Sequence, residues 1–224
     1  MITEEIQDKF YYAAYSYLDE WVQKDSRYHA ALAFESKDEL SLDDGAKCLV
    51  DAATYYAVIR TLKNTGEKPR LMGAYRALRI IERPKSGTDA VRAVEDFANT
   101  LGGEYGIASA SGTPRIPLSA ASKFMWIVFR SPVVIYDSTV SAWLSHYAGY
   151  NYGGYSSYYE VWHREYERFE PYVRVACGEL PGIKRFTHAC DVSDNVLNKW
   201  TVRRWFMERV FDHFMLNEPV PSNE

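Results

Sequence analysis

Cysteine is scarce: three residues in 224, an odd number and widely spaced, which leaves no disulfide framework and points to a reducing compartment. No apolar run approaches the ~20 residues of a membrane span, and the opening MITEEIQDKF is too acidic for a secretory signal. The expectation is a soluble, cytoplasmic protein with no membrane partner. No segment repeats at a fixed period, and no long low-complexity linker separates one part of the chain from another. Chemical signatures are missing too. There is no four-cysteine run for an iron–sulfur cluster. GIASASG and TPRIPLSAASK fit neither a P-loop nor a nucleophile elbow, and no strand precedes them. Cys177, His188, Cys190 and Asp191 fall within fifteen residues, but structural zinc sites pair ligands two to four apart at both ends. Neither a metal nor any other cofactor is expected.

Apolar residues are plentiful. With 47% hydrophobic residues and 25% charged, a chain of this length buries roughly 70% of its unfolded surface and needs no metal or disulfide to hold a core. The net charge of −4 hides an uneven distribution. Residues 1–58 hold five Lys/Arg against twelve Asp/Glu, whereas Arg60–Arg92 holds nine Lys/Arg against three acids. The basic stretch (Arg60, Lys63, Lys68, Arg70, Arg76, Arg79, Arg83, Lys85, Arg92) suits either a solvated helix face or a surface that meets phosphates.

Apolar residues recur at three- and four-residue spacing nearly throughout, so the fold class expected is all-α. Ile6, Phe10, Ala13, Tyr17 and Trp21 form one stripe. A second helix starts after Ser41, an N-cap with Asp44 three residues on, and runs through Ile59 to the Asn64–Gly66 turn. A third, with Pro69 in its first turn, carries Leu71, Tyr75, Leu78 and Ile81 and stops before Pro84; Thr88 then caps a fourth through Phe97. Residues 102–117 read as a loop. Further helices follow near 119–130, 138–148, 155–170 and 193–215, and VVIY alone has strand character.

The informative stretch is IPLSAASKFMWIVFRSPVVIYDSTVSAWLSHY, residues 116–147. A helix from Lys123 to Arg130 climbs about 10 Å, and an extended Val133–Tyr136 travels a similar distance back, which returns Asp137 toward Lys123. Asp137 precedes Ser138–Thr139 and the apolar Val140, Trp143 and Leu144, so it is also placed to cap the next helix. Singly, the Asp reads as a cap and the Lys as a surface residue. Together they pair an amine nucleophile with an anion able to stabilise positive charge. The segment Tyr147–Tyr159, dense in Tyr, Gly and Ser, suits either loop packing or ligand contact.

This order of elements resembles the helix-hairpin-helix DNA glycosylase superfamily, in the 8-oxoguanine glycosylase branch, and more closely bacterial proteins of that fold, some linked to phage defence. The resemblance rests on Ser122-Lys123-Phe124, the apolar helix and Ile135-Tyr136-Asp137-Ser138. The glycine-flanked hairpin of the family is here Leu118-Ser119-Ala120-Ala121-Ser122-Lys123, the interval from Lys to Asp is shorter, and the first hundred residues hold helices rather than a β-domain. The resemblance implies a two-lobed helical fold with a cleft, formed by a single unit 1–224 with a hairpin lobe 45–136 and a second lobe of 137–224 carrying 1–44. It implies Asp137 and Lys123 as catalytic residues and double-stranded DNA with a modified base as partner. The same reading assigns Tyr147, Tyr150, Asn151, Tyr152, Tyr155 and Trp126 to the substrate, and Arg70, Arg76, Arg79, Arg83, Lys85, Ser119 and Ser122 to DNA. A large hydrophilic base modification, such as a sugar on cytosine, suits the Tyr-rich segment. The competing expectation is a helical module that binds nucleic acid or protein without turnover.

Overall fold

The computed structural model describes residues 4–33, 40–62, 71–105, 116–218 and 220. Among them every regular element is helical. None of these helices is long and apolar enough to cross a membrane. The chain divides into two compact units, Met1–Ser26 with Asp137–Glu224, and Arg27–Tyr136.

The unit Arg27–Tyr136 contains α2 (Ser26–Leu32, shared at the boundary), α3 (Leu42–Tyr55), α4 (Met72–Arg79), α5 (Gly87–Tyr105) and α6 (Leu118–Phe129). α6 is apolar all round, and every residue from Ala120 to Phe129 is buried, as befits a helix enclosed by others. α3 and α5 pack against it, and α4 packs on both of those. Ser41 caps α3, accepting from the Asp44 N–H at 3.1 Å. α3 ends earlier than the apolar spacing suggests. Ala57 takes a left-handed conformation (φ 56°), and the Val58 N–H reaches back to the Ala53 carbonyl at 2.9 Å, a closure that ends a helix whatever follows. Ile81, read as part of α4, lies beyond it for a related reason, because its N–H bonds Leu78 in a tighter final turn. The cap of α5 is Ser86 rather than Thr88: its hydroxyl accepts from the Asp89 N–H at 3.1 Å and donates to the Asp89 carboxylate at 2.8 Å. α5 also continues through Gly102–Tyr105, where the spacing leads one to expect a loop.

In the other unit α1 (Glu4–Glu20), a π-helical turn (Trp21–Asp25), α7 (Ser138–Ala148), α8 (Gly154–Ile183), α9 (Asp194–Thr201) and α10 (Arg204–Asn217) pack around aromatic rings. Phe10 stacks on Phe214 at 4.2 Å between centroids, and Trp143 meets Phe211 and Phe214 edge-on. α8 runs past Pro171, where a stop was expected. Pro171 lies on the exposed face, so water can satisfy the carbonyl its ring leaves unpaired, while Phe169, Val173, Ala176 and Leu180 bury the opposite face. The final helix expected near 193–215 is two helices, because Arg203 adopts an extended conformation (ψ 136°) between them. On α10 the buried Asp212, 2% exposed, accepts from Trp162 Nε1 at 2.8 Å and Arg209 at 2.7 Å. Burial raises the Asp212 carboxyl above its usual range, and the two donors oppose that.

Two measurements follow from this packing. Gly45 on α3 faces the Tyr75 ring so closely that an added Cβ would overlap it; Gly45→Ala should therefore cost about 1–3 kcal/mol in urea unfolding despite its better helix propensity. His163 is lowered to about 4 by burial and by Arg204. The unfolded chain binds that proton near pH 6.5 and the folded one only near 4, so stability should be full above pH 6.5 and fall by about 1–2 kcal/mol as pH drops to 4. His163→Gln should flatten that part of the pH–stability curve.

Candidate active site

Lys123 sits on the second turn of α6 and is 7% exposed. Its ammonium donates to the Tyr56 carbonyl at 3.5 Å and lies 5.9 Å from the Tyr56 ring centroid. Tyr56 is the residue on which α3 ends, and the exposed carbonyls of a helix C-terminus favour a cation. Lys123 lies near the N-terminal end of α6, and the group its side chain meets in the fold is the C-terminal end of α3.

Beyond Phe129, Arg130 turns the chain with a positive φ (φ 57°, ψ −142°), and Arg83 donates to the Phe129 carbonyl at 3.0 Å. Val133, Val134 and Ile135 form no regular element and are buried. The return ends where the Tyr136 N–H donates to Ser122 Oγ at 2.9 Å, and that hydroxyl donates to the Ser119 carbonyl at 3.3 Å. The chain preceding Asp137 is thus fastened to the residue next to Lys123. Ser122 is wholly buried, so it ties the return down and offers nothing to DNA; Ser119 is half-buried.

Asp137 caps α7: its backbone is extended (φ −129°, ψ 141°) and Oδ1 accepts from the Thr139 N–H at 2.9 Å. The carboxylate is half-buried. Tyr158 on α8 is fully buried and bonds the Asp137 backbone; burial, followed by the charges of Asp212 and Asp137, drives its phenol well above the ordinary range. Neither Tyr56 nor Tyr158 was singled out from the sequence, since both act through partners distant in the chain.

The Tyr-rich segment divides. Gly149 (φ 74°) ends α7 and Gly154 opens α8, so Tyr155, Tyr158 and Tyr159 are helical and buried. Tyr150 is 1% exposed and packs on Tyr158, with its hydroxyl donating to the Gly154 carbonyl at 3.3 Å. Tyr150, Tyr155 and Trp126, assigned to substrate from sequence, are core residues because their rings complete helix packing. Tyr147, Asn151 and Tyr152 remain exposed.

Of the assigned cations, Arg76, Arg83 and Lys85 are exposed, and Arg79 is half-buried over the Tyr75 ring. Arg70, with Lys63 and Lys68, lies outside the described residues. Among the described residues no three His, Cys, Asp or Glu side chains gather as a metal site. Cys177 is buried inside α8, which pushes its thiol up to about 12, and His188 bonds Gln23 and lies 3.2 Å from the Asp19 carboxylate.

Ser122→Ala leaves the Tyr136 N–H without its acceptor and should destabilise the protein by about 1–3 kcal/mol, whereas Ser119→Ala, which retains the backbone carbonyl, should change stability by less than about 0.5 kcal/mol. Urea unfolding of the two variants checks the comparison. Set against protein-family models, curated proteins and solved structures, the chain matches none.

Proposed function

We propose that the protein is a DNA glycosylase that hydrolyses the N-glycosidic bond of a modified base in double-stranded DNA and leaves an abasic site. The observation that carries the reading is the fastened return after α6: the Tyr136–Ser122 bond brings the chain back to the turn that holds a buried lysine, immediately before the capping carboxylate of Asp137. The fold that accompanies this function is the two-lobed helix-hairpin-helix one, with α6 as the Lys-bearing helix and α7 as the helix that presents the carboxylate.

Departure of a base from C1′ develops positive charge on the deoxyribose, which a fixed anion stabilises. Asp137 meets that need, since the Thr139 N–H holds it in place and a helix N-terminus favours the charged carboxylate. Water then adds to C1′ with loss of a proton, and the base departs with its bonding pair. Lys123 is the second candidate group. Freed from the Tyr56 carbonyl, its neutral amine would attack C1′ as the base leaves with its bonding pair, and opening of the bond between C1′ and the ring oxygen would then give the Schiff base. The exposed Tyr147, Asn151 and Tyr152 offer hydroxyl and amide groups to a hydrophilic adduct such as a sugar on cytosine.

An amide at position 137 still caps the helix but cannot stabilise developing positive charge. Asp137→Asn should therefore keep the fold and duplex affinity while reducing abasic-site yield by about 10²–10³-fold. A variant that excises at the wild-type rate removes the assignment. Borohydride trapping of a protein–DNA adduct, lost in Lys123→Ala, would assign the amine as nucleophile; undiminished excision by Lys123→Ala with no adduct in the wild type would confine it to a supporting role.

A further inference from the structure

Ile80 is the most exposed of the large apolar side chains among the described residues, at 83%. It follows the last turn of α4, whose Ala74, Tyr75 and Leu78 are buried, and lines a groove of about 530 Å³ between the end of α4 and α5. The groove lies wholly within the unit Arg27–Tyr136. Ile81 and Ala93 add apolar surface to it, and both are half-buried. Its charges are balanced: Arg83, Lys85 and Arg92 against Glu82, Asp89 and Asp96. Such a groove selects neither a polyanion nor a polycation. It selects a surface that carries both signs in a matching order.

The order of the charges identifies that surface. Lys85, Asp89, Arg92 and Asp96 follow one another at spacings of four, three and four residues, which sets them along one face of α5 and the residues leading into it. They alternate in sign, and read backwards the row alternates in the opposite sense. Two copies of α5 laid antiparallel, with a two-fold axis midway between Asp89 and Arg92, therefore set Lys85 against the second copy's Asp96 and Asp89 against its Arg92. Every opposed pair is of opposite sign. Within one copy Asp89 and Arg92 lie 3.3 Å apart, whereas Lys85 and Asp96 are exposed and form no ion pair among the described residues. A lone exposed aliphatic needs no explanation by itself. One that stands beside a groove able to admit it makes the surface complementary to its own copy, which a foreign partner does not require.

We infer that this groove is the interface of a symmetric dimer, in which Ile80 of each copy enters the groove of the other. An isologous contact of this kind closes on itself and builds no longer chain. Burial of Ile80 against the opposed Ile81 and Ala93 supplies the attraction. The exposed charge pairs add little affinity; they fix the antiparallel register and exclude the parallel one, in which like charges would meet. The inference is independent of the glycosylase reading.

The experiment measures the mass of the whole 224-residue chain in solution by light scattering. A contact built on one helix and one corner lies at the small end of specific interfaces. The mass should accordingly rise from the 25.8 kDa of one chain toward twice that value between about 5 and 500 μM. Ile80→Asp should stay at the single mass throughout. Lys85→Asp alone and Asp96→Lys alone should each weaken association by about tenfold or more, because the two-fold axis makes each repulsive pair occur twice. An equimolar mixture of these two variants should associate about as strongly as the wild type, since each opposed pair is again of opposite sign. Damage to the fold of either variant would not be repaired by mixing. A wild-type protein of single mass at every concentration overturns the inference. So does a dimer that Ile80→Asp leaves intact, single charge variants that associate as the wild type does, or a mixture that remains at the single mass.

Discussion

The burial of α6 on all sides is the constraint from which the site follows. A helix with no solvent face in its last ten residues has no room for a charged group unless that group finds a partner, and Lys123 finds the carbonyl on which α3 ends. The same burial leaves the return after α6 without water for its backbone, so the Tyr136 N–H must be met from within, and Ser122 meets it. One buried helix thereby fixes both where the lysine ammonium points and where the chain stands before Asp137.

Local chemistry then does the rest. Asp137 combines an extended backbone, the start of a helix and a half-buried carboxylate, so the group proposed for catalysis is also the group that begins α7. Such sharing has a consequence for evolution of the site: the side chain can change to Asn without loss of the helix but to little else, since most other residues cap poorly. The basic corner at Arg76–Lys85 has the opposite character. Arg76, Arg83 and Lys85 lie on the surface, with Arg83 also bonded to the Phe129 carbonyl, and Arg79 lies half-buried over the Tyr75 ring.

Helical character was legible in the sequence because three- and four-residue spacing persists through nearly every segment, and Ser41 and Asp137 were legible as caps because capping is a local exchange between a side chain and an N–H two or three residues on. Helix ends were less so. The close of α3 depends on Ala57 adopting a conformation that alanine rarely takes, and the continuation of α8 through Pro171 depends on which face meets water; neither is written in spacing. The Tyr-rich segment misled for a similar reason. Composition alone does not say which tyrosines turn inward, and Tyr150 and Tyr155 are core because Gly149 and Gly154 bring α8 back against its neighbours early. Lys123 was found as a residue but its partner was not, since the Tyr56 carbonyl carries no sequence signal.

Cleavage of an N-glycosidic bond is read by mass spectrometry of the free bases released when the purified protein meets DNA from sources with different modifications, including glucosylated hydroxymethylcytosine, 8-oxoguanine and uracil. A glycosylase should release one class of modified base, with an equal number of alkali-sensitive abasic sites in the DNA. Firm duplex binding with no free base and no abasic site on any of these DNAs would contradict the glycosylase reading and identify a binding module instead.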